Sequence, residues 1–275
     1  AAPGGGWDST ARAMQEVLQQ AGLAKSVQVE NVAGAGGTIG LAQFVSKKKG
    51  DGNALMVTGL VMVGATIANK SPVILPETTP IARLTSEWQA IAVTPQAKIQ
   101  SMADLAAALK ANTGAVSWGG GSAGGTDHIT VGLVAKAVGG DASKINYVAH
   151  SGGGEAMAAI LGNHVSVGVN SISEFIPQVK AGKLKIIGVS SEKRIPGVDA
   201  PTFKEAGVDV IIGNWRGVVA APGVTPAQKA DLAAQIDKMV KSPQWQAKLK
   251  EKGWEDNYLA SDAFTAYVKS EQDRV

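Results

Sequence analysis

The chain of 275 residues contains no cysteine. Disulfides, thiolate catalysis and cysteine-ligated metals are thereby excluded, and the absence suits an oxidising compartment such as the periplasm. Histidine is nearly absent too: His128, His150 and His164 are the only three, and none has the spacing of a metal-binding pair. No metal and no cofactor are expected. Long apolar runs are missing as well. The most apolar segment, "LMVTGLVMVGATIA" at residues 55–68, is interrupted by Gly59 and Gly64. It falls short of the roughly 18–20 residues a bilayer span needs, and reads as a buried strand followed by a helix. No G-x-x-x-x-G-K-[ST] stretch occurs, which removes a Walker-type phosphate loop. Net charge is only +3, and Lys47, Lys48 and Lys49 stand together without aromatic neighbours. They read as a solvated helix end, so no nucleic-acid partner is expected.

What the chain has in quantity is glycine, 34 residues, 15 of them in four tracts. These are "PGGGWDST" from Pro3, "NVAGAGGTIG" from Asn31, "GGGSAGGTD" from Gly119 and "HSGGGEAM" from His150. Each lies between a strand, seen or inferred, and a helix. Helical periodicity marks residues 9–21, 38–48, 101–112, 126–138, 154–161, 173–181, 226–240, 243–252 and 261–273, with Ser101 and Asp104 in capping-box spacing. Between them sit β-rich runs: "VQVENV", "ALMVTG", "AVSWG", "INYVAH", "VSVGVN", "LKIIGVS", "VDVIIG" and "GVVAAP". Strands alternating with helices predict an α/β protein with mostly parallel sheets. Two alternating blocks are visible, one to about residue 84 and one from about 95 to 213. "SEWQAIAVTP" and "GNWRGVVAAPG" are placed as paired crossing strands, and the helical tail after Pro222 is expected to pack on the first block. That block lacks a strand to feed the "PGGG" turn, so residues are expected ahead of Ala1.

Ligands of open α/β sheets bind outside the carboxyl ends of the strands, where a helix N-terminus presents free amides and the positive end of its dipole to an anion. No tract contains Lys or Arg. An anion would be held by backbone N–H groups and the hydroxyls of Thr38, Ser122, Thr126 and Ser151. Charge-assisted bonds contribute about 1.5–3 kcal/mol each, so five or six of them reach the roughly −8 kcal/mol of micromolar binding. The bland alternative is that the glycines only make tight turns.

Sharper motifs fare less well. "GGGSAG" at 119–124 fits G-x-G-x-x-G, yet the next strand, "INYVAH", ends in His150 where a dinucleotide site wants an acid. "GGSAG" fits the nucleophile elbow G-x-S-x-G with Ser122 as attacker, but no histidine follows His164. A serine hydrolase using Ser122 is the class alternative. His128 reads as a first-turn residue with a structural hydrogen bond, and His150 as a satisfied loop histidine. Asp8 and Asp127 read as helix-opening acids that would repel an anion if they faced it, and Arg12 as the partner of a nearby acid. Trp7 is either a ligand wall or an anchor of its own lobe; Trp245 and Trp254 read as packing.

"PGGGWDSTAR", "NVAGAGGTIG", "WGGGSAGGTDHI", "EAMAAILGNHVSVGVNS", "VKAGKLKIIGVSSEKRIPGVDAPTFKEAGVDV" and "WRGVVAAPGVTP" together resemble the periplasmic substrate-binding proteins of tripartite tricarboxylate transporters, the Bug-type receptors. The resemblance spans the whole chain. It implies a two-lobed α/β periplasmic binding protein, type II-like (a Venus flytrap), with residues 1–90 and 215–275 in lobe 1, 91–214 in lobe 2 and the ligand cleft between them. It implies an exported, non-enzymatic, monomeric receptor, here in its mature form without a signal peptide, that binds a small carboxylate and hands it to a membrane permease. Citrate or a related tricarboxylate is the first expectation and a C4 dicarboxylate the second. A receptor that signals to a sensor partner is a further alternative. Carried over by position, Gly5, Gly6, Trp7, Gly36, Gly37 and Thr38 would face the ligand from lobe 1, and Ser122, Thr126, Ser151 and Asn170 from lobe 2. Two departures bear on the ligand: "AHSGGG" stands where many relatives have a "PYKG"-like tract, and Trp7 replaces a smaller residue.

Overall fold

A computed structural model describes residues 1–150 and 153–275. Along the chain run α1 (Gly6–Gln20), α2 (Thr38–Lys47), β1 (Leu55–Gly59), α3 (Leu60–Ala68) and the long β2 (Thr79–Val93). There follow α4 (Met102–Ala111), β3 (Ser117–Gly120), α5 (Thr126–Ala137), β4 (Asn146–Ala149), α6 (Gly153–Leu161), β5 (Val167–Ser171), α7 (Ile172–Lys180) and β6 (Lys185–Val189). The chain ends with β7 (Gly213–Ala220), α8 (Pro226–Lys241), α9 (Pro243–Lys252), β8 (Glu255–Leu259) and α10 (Ser261–Arg274). It divides into two compact units, Ala1–Ser86 with Trp215–Val275, and Glu87–Asn214.

In the first unit β1 pairs antiparallel with β7, from Leu55↔Ala220 to Gly59↔Arg216. The early part of β2 pairs antiparallel with β8. The core forms on the apolar stripe of α1: Ala13, Met14, Val17 and Leu18 pack with Leu232, Ile236 and Met239 of α8 and Trp245 of α9. That spacing is what places one helical face on a core. Thr225 and Ser242 cap α8 and α9 by accepting bonds from the amides of Gln228 and Trp245, both at 3.1 Å. Trp254 packs beside Trp245, with ring centroids 6.5 Å apart.

In the second unit the later part of β2 pairs antiparallel with β5 and β6, while β3 runs parallel to β4 and β5. Ala90, Ala92, Ile160, Phe175, Ile186 and Val189 form the core against them. Each of the parallel strands leads into a helix, β3 to α5, β4 to α6 and β5 to α7. Their carboxyl ends therefore lie at one edge of the sheet, which positions the site described next.

Two predicted strands are not strands. "VQVENV" has no ladder partner among the described residues, and β1 pairs with β7 alone. Residues 208–212 of "VDVIIG" are in no strand, though Ile212 N–H bonds to Ser190 O at 3.1 Å, and Gly213 opens β7. An extended run becomes a strand only when a neighbour accepts its backbone groups. Conversely β8, "EDNYL", is a strand that polar composition hid.

Candidate functional site

The second unit carries a cavity of ≈180 Å³ at the start of α5. It is lined by Gln89 from β2, Ser122 and Gly125 from the β3–α5 turn, Thr126 and Asp127 at the start of α5, Asn170 and Ser171 from β5, and Asn214. None of these is Lys, Arg or His.

The turn is held by the first residues of the helix it feeds. Asp127 Oδ2 accepts from the Gly121 amide at 2.9 Å, and Oδ1 accepts a short bond from Gln89 Nε2. His128 Nδ1 accepts from the Gly124 amide at 2.9 Å, which leaves the ring proton on Nε2. The His128 ring stacks on Tyr147, centroids 4.4 Å apart and 8° from parallel. Tyr147 in turn donates to Gly121 O at 2.7 Å. Gly120 permits this: a Cβ there would lie 2.5 Å from the Tyr147 hydroxyl. Gln89 is buried, and Ser171 Oγ donates to its Oε1 at 3.4 Å.

Burial pushes the Asp127 carboxyl above its ordinary value; the Gly121 and Gln89 bonds oppose that shift and the charge of Glu174 adds to it. Burial, with the nearby Asp127 charge, raises the Tyr147 phenol, and burial lowers His128. Gly125, preceding α5, offers no side chain to cap the first-turn amides. Thr126 Oγ1 is buried and has no hydrogen-bond partner.

The first unit repeats the uncapped arrangement. α1, α2 and α3 begin after Gly5, Gly37 and Gly59, none of which supplies a capping side chain. The helices α4, α8 and α9 begin after Ser101, Thr225 and Ser242, each of which does. Glycine approaches the other groups closely here. Gly37 is left-handed at φ +92°, and a Cβ on it would meet Met62 Cε at 2.7 Å and the Trp7 ring at 2.8 Å. A Cβ on Gly36 would lie 2.5 Å from that of Ala65, and one on Gly59 would lie 3.0 Å from Trp7 Nε1. Trp7 thus packs within its own unit, between the starts of α2 and α3. Thr38 donates its hydroxyl proton to Ala35 O at 2.9 Å, so only its lone pairs remain for a ligand.

Asp8 is the hub of the "GGG" turn, accepting from the Gly4 amide at 2.8 Å, Asn31 Nδ2 at 2.9 Å and Arg12 Nε at 3.1 Å. These bonds, the Gly4 amide first, hold its carboxyl down at about 2.

Of the expected site residues, Gly5, Gly6, Trp7, Gly36, Gly37 and Thr38 gather at the starts of α1 and α2, and Ser122, Thr126 and Asn170 line the cavity of the second unit. Ser151 lies outside the described residues. Sequence reasoning missed Gln89 and Asn214 on the cavity wall, and Arg216, whose guanidinium sits against Gly6 at the start of α1. Gln89 and Arg216 were signalled only as polar breaks in the apolar runs "WQAIAV" and "WRGVVAA".

Residues 10–275 match the family described as tripartite tricarboxylate transporter family receptor, TctC. The chain belongs to that family. The TctC-type chain is 27% identical to protein BugT of Bordetella pertussis over 230 residues, covering 82% of this chain and 69% of BugT. It superposes on a TctC solute-binding protein from Polaromonas with a TM-score of 0.85 at 27% identity, over 99% of this chain and 92% of that one. It shares its fold with MatC from Rhodopseudomonas palustris, solved with bound malate, at TM-score 0.72 and 24% identity over 99% of this chain and 94% of MatC.

TctC-type receptors are periplasmic solute-binding proteins and not enzymes, and this chain is such a receptor, an α/β periplasmic binding protein. Its "GGSAG" turn agrees. His128 Nδ1 is taken by the Gly124 amide and His150 Nδ1 lies 3.1 Å from Gly120 O, so both histidines of this loop region serve the backbone. Among the described residues no helix is long and apolar enough to cross a membrane, and no acid–histidine group could hold a metal.

Proposed function

We propose that this receptor captures a small di- or tricarboxylate, with citrate or a related tricarboxylate first and a C4 dicarboxylate second, and delivers it as a monomer to the membrane permease of a tripartite transporter. One observation carries the reading: α1, α2, α3 and α5 all begin at glycines that leave their first-turn amides uncapped, while α4, α8 and α9 are capped by hydroxyl side chains. A Ser or Asp at an N-cap stabilises a helix by only a few tenths of a kcal/mol more than Gly does, so these starts cost the fold little. Leaving hydrogen-bond donors open at four starts serves an anionic ligand. The contacts proposed are Gly5, Gly6, Trp7, Gly36, Gly37 and Thr38 in the first unit and Ser122, Thr126, Ser151 and Asn170 in the second. Arg216 adds a cation beside Gly6. The malate in MatC, a protein of this fold, supports the solute class.

The test is calorimetric titration of the purified protein, freed of endogenous ligand, with citrate, tricarballylate, malate, succinate, adipate and an uncharged amide analogue. Micromolar binding of a carboxylate, recovered unchanged, with none of the amide is the expected outcome. Silence across the panel, or a consumed ligand, would overturn the reading.

A further inference from the structure

Asp127 places a carboxylate in the wall of the second unit's cavity, and no cation lines that wall to balance it. The charged group that acts on it through space, Glu174, is itself acidic. The carboxylate is firmly placed: Oδ1 accepts from Gln89 and Oδ2 from the Gly121 amide. An ionised carboxylate accepts about four hydrogen bonds, so each oxygen keeps a lone pair for one further donor. Both protein partners donate to it, which favours the ionised form and opposes the upward push of burial. A ligand carboxylate brought here would face a like charge.

An ionised carboxylate is an acceptor only. A hydroxyl donates one bond to it and an ammonium can donate to both oxygens, whereas a methylene donates none.

We infer that Asp127, held by Gln89 and the Gly121 amide, is a specificity-determining residue that accepts a hydrogen bond from a hydroxyl or ammonium on the ligand's carbon chain. The receptor then selects hydroxy- and amino-carboxylates over their unsubstituted counterparts. The inference rests on the carboxylate-receptor reading and sharpens it.

The experiment is calorimetry on the full chain at pH 7.5 with matched ligands: succinate against malate and aspartate, and tricarballylate against citrate. In whichever series binds, the donor-bearing ligand binds tighter by about tenfold or more, the factor expected of a hydrogen bond to a charged group. Asp127→Asn and, as a second variant, Asp127→Ser bring that ratio down to about threefold or less. Equal or tighter binding of the unsubstituted ligand by the wild-type protein overturns the inference without any variant having to fold. So does a ratio unchanged in both variants. Those outcomes leave the carboxylate-receptor reading standing; failure of every carboxylate to bind removes both.

Discussion

The guanidinium of Arg216 occupies the space a side chain on Gly6 would need: a Cβ at residue 6 would lie 2.5 Å from Nη2 and 2.8 Å from Cζ. A Cβ on Gly59 would lie equally close, 2.5 Å, to the backbone oxygen of Trp215. The two collisions differ in what can give way. A guanidinium at the end of a flexible stem moves aside cheaply, whereas a strand carbonyl does not. Gly6→Ala is expected to leave the thermal midpoint within about 3 °C of wild type, and Gly59→Ala to cost about 2–4 kcal/mol. Because the displaced Arg216 leaves the start of α1, Gly6→Ala weakens carboxylate binding by about threefold to tenfold. Thermal unfolding and calorimetry on the two variants would check the contrast; equal midpoints would contradict it.

Asp8 makes the "GGG" turn sensitive to acid. Its carboxyl is held at about 2 in the folded protein against an ordinary 3.8. A carboxyl whose folded value is depressed stabilises the fold above its unfolded value, and that contribution disappears as the pH falls through the folded value. Wild type therefore exceeds Asp8→Asn in stability at neutral pH, and the gap closes between about pH 4 and pH 2. Chemical denaturation of both proteins across that range is the measurement; a pH-independent gap would refute the assignment.

Thr126→Val removes a buried hydroxyl that has no hydrogen-bond partner. Replacing an unpaired polar group by an apolar one of the same shape is neutral or stabilising, so the variant gains up to about 1 kcal/mol. Chemical denaturation of the two proteins checks this, and a clearly destabilised variant would show that the hydroxyl is paired within the fold.

The segment after α1 offers a dynamic test. The Val27 amide donates to Gln19 Oε1 at 2.9 Å, but residues 28–32 have no strand ladder. Their amides should exchange with deuterium far faster than those of β1 residues bonded to β7, since opening of unladdered backbone needs little free energy. Mass spectrometry of exchange on the seconds-to-hours scale resolves the two segments. Equal protection would mean that these amides are bonded as firmly as a strand ladder, against the expectation.

Much of the secondary structure was legible because local chemistry dictates it. Alternating apolar runs marked β1 and β3–β6, and capping side chains marked the starts of α4, α8 and α9. Ser101 accepts from the Asp104 amide at 3.1 Å as its spacing predicted, although Asp104 reaches back to the Gln100 amide, at 3.0 Å, instead of that of Ser101. His128 and Arg12 also took the structural roles read for them, bonding Gly124 and Asp8. α1 starts three residues earlier than predicted, because glycine and tryptophan disguised its first turn.

By itself, then, the sequence determined the α/β alternation, the placement of glycine tracts at helix starts and the family, since periodicity, caps and motifs are properties of neighbours in the chain. Only the tertiary structure decided that "VQVENV" lacks a ladder, that Trp7 packs among Gly37, Gly59 and Met62, and that Asp127 lines a cavity with no cation. It alone brought Gln89 to Asp127 across 38 positions and Arg216 to Gly6 from the far end of the chain. The reason is physical: a strand requires a partner, and a carboxylate's charge is felt through whatever surrounds it. Both are set by groups distant in sequence, which no local pattern encodes.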